Sequence, residues 1–191
     1  MKIGVYVGSF NPVHKGHIGL IKYLLQEGYV SRMEVVATGN YWDKTDLLDT
    51  DVRIEMLKFY ESSSIKIMDE LNELPYTYMI MDRLLEKYPN DELYLIIGAD
   101  NLVNFSKWKR VDKLLKMNIL VIPRNGIDIW KYLRENNYTD SFLIVDGFKE
   151  MDISSSDIRE LIRKGNILEL KKYLDDDVLN YILLNGLYVD K

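Results

Sequence analysis

The feature that most constrains this chain is its alternation of short, β-branched apolar runs with amphipathic stretches of helical spacing. Ile3 to Val7 reads as a buried strand stopped by Gly8. Ile18, Ile21, Leu24 and Leu25 then recur along one helix face over His17 to Gln26, and Gly28 ends it. Further strands are predicted at 33–37, 65–68, 93–97, 119–122 and 142–145, with helices at 51–60, 76–87, 101–115 and 127–135 between them. From Ser155 the pattern is helical throughout, over 157–163, 167–173 and 178–184. Parallel neighbours need a crossover, and a helix supplies it. The expected fold is therefore a doubly wound, mostly parallel α/β sheet with the first strand central and helices at the C-terminus. Residues 1–191 are read as one domain, with 153–191 a helical part packed on it; a chain of 191 residues is long enough to bury such a core.

In a sheet of this kind ligands bind beyond the carboxyl ends of the strands. That directs attention to residues 8–17, 38–44, 98–108 and 123–126. The first of these reads Gly8-Ser9-Phe10-Asn11-Pro12-Val13-His14-Lys15-Gly16-His17, and His14 and His17 are the two histidines of the whole sequence. Free N–H groups at a helix start favour anions, and two imidazoles three positions apart can donate to phosphate oxygens. The plainer alternative is that they only cap the helix. Neither G-x-G-x-x-G nor G-x-x-x-x-G-K-[ST] occurs, which sets dinucleotide oxidoreductases and P-loop enzymes aside. The formal charge of −5 disfavours nucleic acid as a partner, and no stretch has membrane-span length. The absence of cysteine excludes disulfides and thiolate metal sites and fits a cytoplasmic location.

The stretch from Gly8 to His17 resembles the G-[ST]-F-[DN]-P-x-H-x-G-H signature of the nucleotidyltransferase superfamily, whose fold is Rossmann-like. Near the other end, Ile153-Ser154-Ser155-Ser156-Asp157-Ile158-Arg159 resembles its I-S-S-T-x-I-R box, with Ser156 in place of threonine. A third segment, Gly98-Ala99-Asp100-Asn101-Leu102 followed by Phe105 and Trp108, is similar to the pattern of nicotinate or nicotinamide mononucleotide adenylyltransferases, as is Pro75-Tyr76-Thr77. The P-P-H-K loop and the Asp-Thr pair usual in the bacterial nicotinate enzymes are replaced by Tyr41-Trp42-Asp43-Lys44 and Met79-Ile80.

What the resemblance implies is attack by a mononucleotide phosphate on the α-phosphorus of ATP, giving a dinucleotide and pyrophosphate. His14 and His17 would be catalytic. Gly8, Ser9, Phe10, Gly98, Asp100, Arg124, Ser155, Ser156 and Arg159 would bind ATP. Asn11, Lys44, Tyr76, Thr77 and Trp108 would bind the pyridine mononucleotide. His14, Asp100, Trp108 and Ser156 are expected around one cleft. Mg²⁺ is expected as the cofactor, carried on the ATP phosphates, with no protein metal site. Nicotinate mononucleotide ranks first as substrate, with the amide or both as the alternative. Behind these stand another enzyme with the same boxes, such as the pantetheine-phosphate one, a non-catalytic nucleotide-binding regulator, and a plain α/β binding module. The sequence leaves the oligomeric state open.

Overall fold

The computed structural model describes residues 1–40, 47–124, 126–138 and 140–189. In chain order the elements are β1 (Lys2–Gly8), α1 (Lys15–Gln26), β2 (Arg32–Ala37), α2 (Thr50–Lys58), β3 (Ile65–Ile67), α3 (Thr77–Lys87), β4 (Glu92–Gly98) and α4 (Ala99–Leu102). They continue with α5 (Val111–Leu114), β5 (Asn118–Ile122), α6 (Ile129–Glu135), β6 (Phe142–Ile144), α7 (Ser155–Arg163), α8 (Ile167–Tyr173) and α9 (Asp176–Leu184). The strands form one sheet in the order β3-β2-β1-β4-β5-β6, and every neighbouring pair runs parallel. The strand order reverses between β1 and β4, which is the switch point where such sheets bind ligands.

Period-two alternation sorts the strand side chains onto two faces. Ile96, Leu120 and Ile122 face one apolar layer, and Leu95, Ile97, Ile119 and Val121 the other. Ile18, Ile21 and Leu24 of α1 cover the first face together with Ile54 and Leu57 of α2 and Ile158, Ile162, Leu170, Val178 and Ile182 of the last three helices. Ile80 and Leu84 of α3, Leu102 of α4, Leu114 of α5 and Leu133 of α6 cover the second. The C-terminal helices thus share the core of the sheet.

The register sets the site. Gly8 lies opposite Ala37, and Gly98 opposite Ile122, so these four strand ends reach one edge together. One expectation needs correcting. Residues 101–115 do not form a single helix: α4 is followed by a 3₁₀ turn at Phe105–Lys107, an extended Trp108 and a left-handed Arg110 (φ 52°) before α5. The fully buried Phe105 explains the break, because its ring is drawn into the second layer beside Trp108, Tyr138 and Phe142. Packing of one aromatic overrides the helical periodicity.

Candidate active site

The loop from Gly8 to His14 is fixed at its end by a reciprocal helix cap. His14 is the N-cap of α1, and its Nδ1 accepts the Gly16 N–H at 3.1 Å. His17, one turn along, returns the contact, its Nδ1 accepting the His14 N–H at 3.2 Å. This is the geometry of a capping box with imidazoles in place of hydroxyl and carboxylate. The two rings lie 3.7 Å apart, and Phe10, itself at a left-handed φ of 46°, sets its ring against His17 at 5.0 Å. Gly16 has no side chain for a direct reason: a Cβ there would sit 2.8 Å from the His14 ring.

The cap has a chemical consequence. A neutral imidazole carries one N–H, and a ring nitrogen that accepts a hydrogen bond cannot carry it. With both Nδ1 atoms accepting, the proton of each ring belongs on Nε2, so both histidines are Nε2–H donors. Burial lowers the His14 pKa to about 4, aided by the nearby Arg124 charge, and burial takes His17 well below its ordinary value, helped by His14 and Arg124. At neutral pH both rings are neutral. Capping the helix and serving a ligand are therefore compatible roles, since they use opposite edges of the ring.

Both rings line a cavity of about 430 Å³, together with Tyr6, Asp100, Arg124, Phe148, Glu150, Ser154 and Ser155, among others. Arg124, just past β5, forms ion pairs with Asp100 (3.4 Å) and Glu150. A Cβ on Gly98 would meet the Asp100 carboxylate and push it aside. Burial pushes the Tyr6 phenol up to about 12, so it stays protonated.

The C-terminal box braces this loop. Ser154 caps α7, accepting the Asp157 N–H at 3.2 Å, while Ser155 Oγ donates to the Pro12 carbonyl at 2.9 Å. Arg159 donates one nitrogen to the Asn11 carbonyl at 2.8 Å and another to Ser156 Oγ at 3.1 Å. Asn11 is buried, and its Oδ1 accepts the Leu48 N–H (3.3 Å) and the Tyr188 hydroxyl (2.9 Å). Ser9 offers its carbonyl to Arg53 at 2.6 Å.

Tyr76, Thr77 and Trp108 line a second cavity, of about 330 Å³, with Pro75, Lys107 and Lys109. Tyr76 is the N-cap of α3 and Thr77 its first residue. The structure thus brings His14, His17, Asp100, Arg124 and Ser155 to one cavity, and Tyr76, Thr77 and Trp108 to another. Ser156 lines neither. Lys44 lies outside the described residues.

Three contributors had no sequence forecast: Glu150, Tyr188 and Arg53. For Arg53 a signal existed, a charge in the buried stripe of Ile54, Met56 and Leu57 on α2. Glu150 and Tyr188 carried none, because long-range contacts bring them in.

Residues 5–161 match the cytidylyltransferase-like family. A protein of Carboxydothermus hydrogenoformans named "Probable nicotinate-nucleotide adenylyltransferase" is 32% identical over 199 residues, covering 98% of each chain. One of Endomicrobium trichonymphae with the same name is 32% identical over 194 residues, again covering 98% of each. Among solved structures, the Plasmodium falciparum nicotinic acid mononucleotide adenylyltransferase complexed with NaAD superposes with a TM-score of 0.82 over 98% of this chain and 97% of that one. At 24% identity this last likeness speaks for the fold.

Proposed function

The chain belongs to the cytidylyltransferase-like family, among the nicotinate-nucleotide adenylyltransferases, and from that premise we propose that it transfers the adenylyl group of ATP to nicotinate mononucleotide. The products are deamido-NAD and pyrophosphate. An oxygen of the mononucleotide phosphate forms a bond to the α-phosphorus. The bond from that phosphorus to the α,β-bridging oxygen breaks, and pyrophosphate departs with the electron pair. No protein nucleophile is required.

The observation that carries the reading is the pair of neutral Nε2–H donors fixed by their own cap in a cavity beside Arg124. Charge builds on the non-bridging α-phosphate oxygens as the phosphorus becomes five-coordinate. Donors already oriented there stabilise that state without reorganising. Arg124 would hold the phosphates by exchanging a carboxylate partner for a phosphate oxygen. Gly8 and Phe10 would offer backbone N–H groups, Gly98 close approach of the chain, and Asp100 an acceptor for ribose hydroxyls. Ser155, Ser156 and Arg159 would complete the ATP side, partly by holding the 8–14 loop in place.

The second cavity would receive the pyridine ring, with Trp108 as its flat face and Tyr76 and Thr77 beside the ring substituent. Lys107 and Lys109 give this cavity positive charge, and its lining holds no carboxylate among the described residues, which favours the acid over the amide. Asn11 and Lys44 are assigned to the mononucleotide phosphate.

Asp100 and Glu150 place hard oxygen donors on the first cavity wall, a fit for Mg²⁺ that arrives on the triphosphate. When bound, the ion would offset the charge of the leaving pyrophosphate. The reducing cytoplasm is the compartment proposed for this cysteine-free chain.

The test is kcat/KM with ATP and each pyridine mononucleotide, read as pyrophosphate release. The acid is expected to be preferred. A preference for the amide above about tenfold, ~1.4 kcal/mol, would overturn the assignment.

A further inference from the structure

Strand β1 carries one side chain that packing alone does not explain. Period-two alternation sends Ile3 and Val5 into the second apolar layer and Tyr6 toward the first, where it packs with Ile96, its register partner on β4, and Ile122. An aliphatic or phenyl side chain would suit such neighbours, and a phenol adds one oxygen. Tyr6 lines the first cavity. The loop that follows the strand holds its ring in place: Phe10 meets it edge-on at 5.3 Å, and the His17 ring lies 6.3 Å away. Phe10 in turn packs on His17 at 5.0 Å, so the three rings form one cluster.

The hydroxyl at the end of this ring has no hydrogen-bond partner among the described residues, and it is not sealed from solvent. The charges that act on it are those of Arg124 first and Asp100 second, both on the wall of the same cavity. A polar group inside a protein is ordinarily satisfied there; one left open on a cavity wall carries a cost that a ligand can remove.

Burial keeps the phenol protonated, so toward an anion it is a donor, and its bond to an ionised oxygen is of the stronger kind. The cavity has use for such a group. Its wall sets one guanidinium against two carboxylates, and its imidazoles are neutral. A polyphosphate bound there is held largely by neutral donors, and the nearness of Arg124 puts the Tyr6 hydroxyl where phosphate oxygens belong.

We propose that Tyr6 is a further substrate-binding residue of the first cavity, its hydroxyl donating to a phosphate oxygen of the bound nucleotide on the side where His17 acts. The identity of that nucleotide as the ATP of adenylyl transfer rests on the function proposed above. The contact itself needs only a polyphosphate.

The test is calorimetric titration of wild type and Tyr6→Phe with ATP and, separately, with inorganic tripolyphosphate, joined to melting curves of the unliganded proteins and to turnover. The substitution removes one oxygen and keeps the ring. It is expected to weaken both ligands at least about fivefold and to lower kcat about tenfold. The variant is expected to melt no earlier than wild type, since the hydroxyl has no partner to lose in the free protein. Weakening of ATP alone would place the hydroxyl on the nucleoside, and weakening of neither would leave it without a ligand; either result overturns the proposal. So would an unchanged kcat, or a wild type that does not bind tripolyphosphate. A variant that melted several degrees lower would show the hydroxyl already tied within the protein, and would overturn it too. A wild type that binds both ligands yet fails to turn over ATP with a mononucleotide would overturn the proposed reaction instead, and the titrations would still decide on Tyr6.

Discussion

The two cavities at the carboxyl edge of the sheet are built in opposite ways. The first is assembled from both ends of the chain: Ser155 and Arg159 hold the carbonyls of Pro12 and Asn11, and Tyr188 holds the Asn11 side chain. Its histidines, His14 buried and His17 partly so, are neutral and locked by their own cap. The second is local. Two short segments, 75–77 and 107–109, supply its lining, and its lysines are exposed. Phosphate chemistry demands groups oriented before the reaction, whereas recognition of a ring substituent can be tuned by one side chain at a helix start or a turn. Substitutions in the first cavity are therefore expected to act on kcat, and those in the second on KM and substrate choice.

The largest effect is expected at His17. His17→Ala removes a donor whose hydrogen bond strengthens in the transition state. It is predicted to lower kcat about a hundredfold, ~3 kcal/mol, with a smaller change in KM for ATP. His14→Asn separates two roles, since asparagine caps helices well but places no donor where Nε2 was. It is predicted to lose kcat on a similar scale while melting within a few degrees of wild type. A variant that lost stability and kept kcat would show that the cap is all the histidine provides, and the contrast between the cavities would fail.

Acid is next. The unfolded chain protonates its histidines near pH 6.5, while folded His14 resists until about pH 4. Between those values the unfolded state binds more protons, so stability falls as pH falls through this window and is fully regained above it. For His14 the loss is about 3 kcal/mol. His14→Asn should flatten part of that slope in urea titrations at stepped pH. An unchanged slope would mean that His14 is not held neutral.

How far the sequence reached follows the same divide. Strands β1, β4 and β5 were legible because each is a short run dominated by β-branched residues and leucine, and the parallel order followed from the helices between them. The first cavity was legible in part, since His14 and His17 share one loop. That their rings would cap as well as serve was not, because it depends on which nitrogen faces the backbone. Glu150 escaped notice because its partner Arg124 comes from a separate segment of the chain, while Arg53, a charge in the buried stripe of α2, was visible in the sequence but its backbone partners were not. The break at Phe105 escaped because local periodicity does not report a ring buried under another layer.

Two smaller effects sharpen the comparison from the other side. Trp108→Ala is predicted to raise KM for the mononucleotide about tenfold and leave KM for ATP within about twofold, as fits loss of one aromatic face. A loss confined to kcat would place Trp108 with the phosphate chemistry instead. Lys109→Gln should lower kcat/KM for the acid only several-fold, less than ~1 kcal/mol for an exposed charge, and leave the amide unaffected. Equal loss for both mononucleotides would remove the lysine from substrate choice.

The central claim is that the two histidines are neutral Nε2–H donors held by the cap. Nitrogen-15 NMR of the imidazoles in the unliganded protein reads tautomer and titration together. The account predicts the Nε2–H form for both rings at pH 7, with the His14 midpoint near pH 4 and that of His17 well below the ordinary histidine value. An Nδ1–H tautomer, or a midpoint near the ordinary histidine value, would contradict it.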